Sequence, residues 1–309
     1  MTMGTLILVI LGGLLLLGIS YELVMSLMLR QRYSKPRGER VDIGGYQLHM
    51  VKLGEAEADK PTIILESGIG GNSLDWQRVQ DDIAKFAQVI SYDRAGYGWS
   101  DNPRQPRTPD NIVTELNQLL NNANVAPPYV LVAHSFGALY TLQFVEKYPE
   151  KVAGLVLVDS AHPEMLKPIN IQPELRRLRI NTVLKRFGIL RLLIKGALYQ
   201  ADYLDDDAKA QYVAMTLQDS PNTFREAKPL FASKFDTPEL QIPISVISRE
   251  PKEADEKWHD YQQKLVTMSD QAIHLISEKR NHYVMLATPE LVVDAIRQHI
   301  QNEEIESLS

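Results

Sequence analysis

The sequence contains no cysteine, which removes disulfides, thiolate nucleophiles and Cys-ligated zinc from consideration. Its seven histidines include no H-E-x-x-H spacing, the pattern that sets two imidazoles on one helical face, so no metal is expected. Positive charge is not in excess either. Lys and Arg number 33 against 39 Asp and Glu, and no basic stripe is visible, which excludes nucleic acid as a partner. The one glycine-rich loop, SGIGGNS at residues 67–73, lacks the lysine of a P-loop and the third glycine of a dinucleotide fingerprint. What remains is an ordinary globular composition, 44% hydrophobic and 23% charged over 309 residues, suited to one large domain or one domain with an insertion.

The amino terminus departs from that profile. Residues 1–21 carry no charged side chain, and Leu6 to Leu17 is wholly Leu, Ile, Val and Gly. A membrane-crossing helix needs about 17–25 mostly apolar residues, a length reached if the run continues past Glu22 to Leu29. The segment lacks the basic start and the small-x-small site of a cleaved signal peptide, so an uncleaved single-pass anchor in a lipid bilayer is expected. Arg30, Arg32, Lys35 and Arg37 follow it, and basic residues flanking a span favour the cytoplasm. The rest of the chain is therefore expected on the cytoplasmic side.

Beyond a short linker, RVDI and YQLHMV flank Gly44-Gly45, a pair suited to a hairpin turn. PTIILES, QVISYD, YVLVAH and GLVLVD are short continuous apolar runs, the pattern of strands buried on both faces, and segments of helical period lie between them. This alternation predicts parallel βαβ units with helices on both faces. It stops between about Pro163 and Pro243, where NTVLKRFGILRLLIKGALY, YLDDDAKAQYVAMTL and TFREAKPLFASKF read as helices, and resumes with IPISVIS, DEKWHDYQQKLVTM, QAIHLIS and PELVVDAIRQHI. QNEEIESLS reads as a frayed polar tail.

The chemistry points to VLVAHSFGAL. A buried strand runs into Ser135 and a helix starts at once, the sharp turn that lifts a serine hydroxyl above a sheet edge. The helix amino terminus, through the Phe136 N–H, would favour an oxyanion there, and the Ile69 N–H in SGIGGNS is the candidate second donor. The first glycine of a G-x-S-x-G turn is Ala133 here, still small enough for the bend.

Taken in order, ESGIGG, SYDRAGYGWSD, AHSFG and the terminal NHYVMLATPE resemble the α/β-hydrolase superfamily, in its capped, serine-nucleophile, carboxylesterase/lipase-like form, over about Val41 to Ile300. The resemblance implies an α/β-hydrolase fold: an eight-stranded, mostly parallel sheet with helices on both faces and a helical cap after the sixth strand, here preceded by the membrane helix. It implies a Ser-His-acid triad and no cofactor. The expected divisions are an anchor at 1–29, a linker at 30–40, the core at 41–162 and 243–302, and the cap at 163–242.

By the same likeness Asp93 and Arg94 brace loops beneath the site. His282, after the last strand and before the last helix, stands where the superfamily puts its histidine, and a serine hydroxyl requires such a base. His134 reads as a packing residue turned to the opposite side of its strand end; His49, His162, His259, His274 and His299 read as surface or structural. The acid has two candidates. Glu250, Glu253, Asp255 and Glu256 follow the seventh strand, the loop from which the superfamily usually draws it, and Asp255 lies 27 positions before His282. Asp159, at the tip of the sixth strand, is the position some relatives use. Asp255 is preferred.

These residues predict hydrolysis of a carboxylic ester through an acyl-enzyme, with an apolar or lipid-like acyl group favoured. Alternatives on the same scaffold are a cofactor-free perhydrolase, a carbon-carbon bond hydrolase, or a ligand-binding receptor with a vestigial triad. Leu184, Phe187, Leu190, Leu193 and Ile194 give the first cap helix an apolar face, with Lys185, Arg186, Arg191 and Lys195 on other positions. Such a helix either buries that stripe over the site or rests on a bilayer.

Overall fold

The computed structural model describes residues 2–58, 60–166, 170–193, 199–251 and 255–307, with side chains described except at 199–200 and 301–307. Eight strands form one sheet: β1 (Glu39–Asp42), β2 (Gln47–Leu53), β3 (Thr62–Glu66), β4 (Val89–Tyr92), β5 (Tyr129–His134), β6 (Val152–Val158), β7 (Ile244–Ser248) and β8 (Ala272–Ile276). Their order is β1-β2-β4-β3-β5-β6-β7-β8. β2 runs antiparallel to β1 and β4, and every later pairing is parallel. The apolar runs of the sequence become these strands because both faces are covered. β3, β4, β5 and β7 are buried at every position.

The helices outside the segment between β6 and β7 are α1 (Met3–Arg32), α2 (Gln80–Ile83), α3 (Pro109–Asn122), α4 (Gly137–Lys147), α8 (Glu256–Val266), α9 (Val284–Ala287) and α10 (Pro289–Ser307). α3 shows how sequence sets their ends. The Thr108 hydroxyl accepts from the Asn111 N–H, Pro109 occupies the first turn, and Ile112, Leu116 and Leu119 turn one stripe inward. α3, α4 and α8 cover one sheet face through Leu116, Phe144 and Leu265; α2, α9 and α10 cover the other through Ile83, Met285 and Ile296. This is the α/β-hydrolase architecture, with one amino-terminal helix long and apolar enough to cross a membrane. That helix runs on to Arg32, so the connection to β1 is shorter than the 30–40 expected.

Between β6 and β7 stand α5 (Gln172–Arg186), α6 (Ile189–Leu193) and α7 (Asp206–Ala232). Two sequence expectations change here. The first cap helix is split, because Gly188 adopts the left-handed backbone (φ +70°) that ends helices, with its N–H on the Lys185 carbonyl. The split rephases the expected stripe: Leu190 is buried, Leu193 is exposed, and Ile194 and Lys195 lie outside the described residues. The second and third cap helices are one, α7, which continues through Pro221. Proline there leaves the Leu217 carbonyl without its usual amide, and the Ser220 hydroxyl donates to it instead, at 3.1 Å.

Three buried polar ties fasten α7 to the core. Glu226 pairs with Arg94 at 2.9 Å, the Tyr212 hydroxyl donates to Asp75 at 2.7 Å, and Asp219 accepts from the Gly98 N–H (3.1 Å) and the Asn72 amide (3.0 Å). Burial pushes Asp219 up to about 8, since these donors offset only part of the desolvation. Unfolding releases the group to its ordinary value of 3.8, so between that pH and about 8 the folded chain holds a proton the unfolded chain has lost. Stability must then fall as pH rises, by up to about 1.4 kcal/mol per pH unit. Urea unfolding of the full chain in detergent from pH 5 to 8 is expected to show a steeper decline for the native sequence than for Asp219→Asn. Parallel declines would refute it.

Candidate active site

Ser135 sits between the end of β5 and the start of α4, with a left-handed backbone (φ +53°) and 6% exposure. A left-handed backbone at a non-glycine residue stores strain, and it aims the hydroxyl off the sheet edge. Gly137 makes the turn possible. A Cβ there would meet the Ser67 carbonyl oxygen at 2.7 Å, so only glycine lets α4 start so close to the end of β3.

The His282 side chain returns over this turn from the loop between β8 and α9. Its Nε2 lies 2.9 Å from Ser135 Oγ, and its Nδ1 lies 2.5 Å from Asp159 Oδ2. Asp159, at the tip of β6, is fully buried and also adopts a left-handed backbone (φ +42°). Its Oδ1 accepts from the Trp258 indole N–H at 2.8 Å, and its Oδ2 from the Arg249 guanidinium. Burial opposes ionisation of this carboxyl, but the His282 hydrogen bond and charge, with Arg249 and Trp258, outweigh it and hold the group below the usual carboxylate range.

The preferred acid of the sequence reading is elsewhere. Asp255 pairs with Arg249 at 3.3 Å, and the carboxylate on the His282 imidazole is that of Asp159. The physical reason is that β6 and β7 are adjacent in the sheet, so both strand tips end beneath the same loop. Spacing along the chain could not say which tip His282 covers. Glu250 is paired with Arg280, and Glu253 lies outside the described residues.

His134 does not turn away from the site as expected. It is buried with its ring 4.5 Å from that of His282, and its Nε2 is 3.0 Å from the His282 carbonyl oxygen. Burial first, then the neighbouring His282, push it down to about 3, so it stays neutral and adds no charge beside the imidazole. His49 is buried on Asp93 and the Arg37 carbonyl, His299 on Ser245, and His162 stacks on Tyr261.

Sequence reasoning missed Arg249 and Trp258, whose only signals are a position just after β7 and a place on an amphipathic helix.

The loop after β3 supplies the other half of the site. Gly68 lies against Ser135, where an added Cβ would stand 3.0 Å from the serine Cβ. Among the described residues, no acceptor takes up the N–H of Ile69 or Phe136. Arg94 holds this loop from below: it donates to the Ser67 and Gly68 carbonyls, each at 2.7 Å, while pairing with Glu66 and Glu226. Asp93 accepts from the Ser73 and Trp99 N–H groups. A cavity of about 460 Å³, walled by Leu166, Phe231 and Phe235 on one hand and by Ser233, Lys234 and Asp236 on the other, reaches Phe136 through Phe231, which packs edge-on against it at 5.3 Å.

A family profile described as "alpha/beta hydrolase fold" matches residues 61–191, a stretch that includes Ser135, Asp159 and the loop after β3. The chain has the α/β-hydrolase fold. The uncharacterized protein YqjL of Bacillus subtilis is 42% identical over 100 residues, 32% of this chain and 40% of that protein. The chain spans less than half the length of the first two curated relatives it matches. Among solved structures, a thermophilic esterase from Thermogutta terrifontis superposes with a TM-score of 0.68 at 18% identity, over 87% of this chain and 99% of that one. A Vigna radiata epoxide hydrolase superposes equally broadly, with a TM-score of 0.67 at 16% identity, over 87% and 99%. These likenesses show the fold, and leave the reaction to the chemistry of the site.

Proposed function

We propose that the protein is a serine hydrolase that cleaves carboxylic esters through an acyl-enzyme, with residues 41–162 and 243–302 as its catalytic core and 163–242 as a cap. The observation that carries this reading is the unbroken hydrogen-bond chain from Ser135 Oγ through His282 to Asp159. In the first half-reaction Ser135 Oγ bonds to the ester carbonyl carbon while its proton passes to His282 Nε2. The carbonyl oxygen, now negative, is received by the uncommitted Ile69 and Phe136 N–H groups. The tetrahedral species collapses, the carbon–oxygen bond to the alcohol breaks, and the imidazolium gives that oxygen its proton. A water activated by His282 then repeats the sequence on the acyl-enzyme, releasing the acid and free Ser135.

Asp159, ionised and buried, fixes the imidazole tautomer and offsets its transient charge. Phe231 and Phe235, in the wall of the cavity next to Phe136, offer apolar surface to an acyl group, and a serine at the strand-to-helix turn favours acyl transfer over epoxide opening, for which the resemblance implies an aspartate nucleophile. Treatment with a fluorophosphonate is expected to give one adduct on Ser135, located by mass spectrometry. Chromogenic esters of graded length should then be turned over by the native chain and not by Ser135→Ala. An unlabelled Ser135, or full activity in Ser135→Ala, would overturn the proposal. Labelling without turnover of any ester would favour a binding protein with a vestigial triad.

A further inference from the structure

The amino-terminal helix is joined to the cap. Midway along α1 the backbones nearly touch: a Cβ on Gly18 would meet the Phe187 carbonyl oxygen at 2.3 Å, and one on Gly188 would stand 3.0 Å from the Gly18 carbonyl oxygen. One turn on, Glu22 is buried and takes two hydrogen bonds from Arg191 of α6, both at 2.9 Å, with a third from Ser26 at 2.9 Å. Glu22 is the only charged residue among the first 29. Its counter-ion therefore comes from the cap.

The opposite side of the same helix stays apolar and open. Leu23, Val24, Leu27 and Met28 are 54–60% exposed on the stretch that flanks the cap, and α6 continues the surface with Leu192 at 70% and Leu193 at 61%. From Gly18 to Leu29, at 1.5 Å per residue, the helix therefore carries an outward apolar face for about 18 Å beside the cap. In water such a patch would be a liability. It is continuous with the fully exposed apolar half of α1, which by composition and length suits hydrocarbon. Between α1 and α7 lies an apolar cavity of about 500 Å³, walled by Tyr21, Met25, Leu29, Leu192, Val213 and Leu217.

We propose that α6 and the second half of α1 form one membrane-seating surface, immersed at the acyl-chain boundary of a lipid bilayer. The bilayer then covers Leu192 and Leu193, and the cavity between α1 and α7 opens to lipid chains. The Glu22–Arg191 pair follows from the same placement, since a lone carboxylate at that depth is costly and one with a bidentate guanidinium is tolerated. The cap is thus held at the membrane by its own anchor.

This inference stands apart from the hydrolytic reading, and its test does not use turnover. Because the chain has no cysteine, Leu192→Cys and Leu193→Cys each carry a single bimane label in the full chain, with Lys85→Cys, in the turn just after α2, as the water-exposed reference. In phosphatidylcholine vesicles, doxyl lipids labelled near the headgroup should quench positions 192 and 193 severalfold more than 85, and iodide should show the reverse order. Quenching of 192 and 193 by iodide as readily as of 85, with no response to doxyl lipid, would overturn the proposal.

Discussion

Asp159→Asn is expected to lower ester turnover by on the order of 10⁴-fold, whereas Asp255→Asn should stay within about fivefold of the native chain. The first figure follows from what the carboxylate does. An amide at that position can present its NH₂ to Nδ1, which stabilises the tautomer with its proton on Nε2, and a base so protonated cannot take the Ser135 proton. Arg249 deepens the loss, because its guanidinium, 3.3 Å from His282 Nδ1, would keep its charge beside an imidazole that must itself become positive. The small second figure follows from exposure. Asp255 is 30% exposed and touches Arg249 alone among the catalytic surroundings, an ion pair worth about 0–1 kcal/mol. Single-turnover kinetics on a chromogenic ester would check both. Equal losses, or the larger loss at Asp255, would remove Asp159 from the mechanism.

Arg94→Met should destabilise the fold by about 3–5 kcal/mol, the cost of removing one member from a buried ionic group. Arg94 is 2% exposed and faces two carboxylates: Glu66, from the end of β3, and Glu226, from α7. Without it both lose the guanidinium they are paired with, and the Ser67 and Gly68 carbonyls lose a donor each. Burial already raises Glu66 despite Arg94, so in the variant the pair would bind a proton on folding and stability would recover toward acid pH. Urea unfolding at pH 5 and pH 8 is the measurement. A variant within about 1 kcal/mol of native would show that this cluster does not hold the loop and the cap together. Activity should fall as well, since the loop that Arg94 braces carries the Ile69 amide.

Much of the molecule was legible without coordinates. All eight strands announce themselves as apolar runs or a glycine hairpin, most plainly the central ones, because a strand covered on both faces has no polar side to disguise it. Ser135 was legible for a local reason, the abrupt change from strand to helix with a glycine two residues on. His282 was legible only through resemblance, since nothing in NHYVML distinguishes a base from any other half-buried histidine. The helices between β6 and β7 were legible in kind and wrong in extent, because a hydroxyl one residue before Pro221 and the backbone freedom of Gly188 decide where they continue and where they break.

Periodicity and local turn chemistry act over a few residues, and these determined the layered fold, the serine at its bend and the long apolar helix at the amino terminus. The partner of His282, the counter-ion of Glu22 and the fastening of α7 through Arg94, Asp75 and Asn72 join residues 123 to 169 positions apart, and were decided only by tertiary structure. The physical reason is that a buried charge accepts whichever opposite charge or donor the packing brings within about 3 Å, and packing is set by the sheet order rather than by distance along the chain.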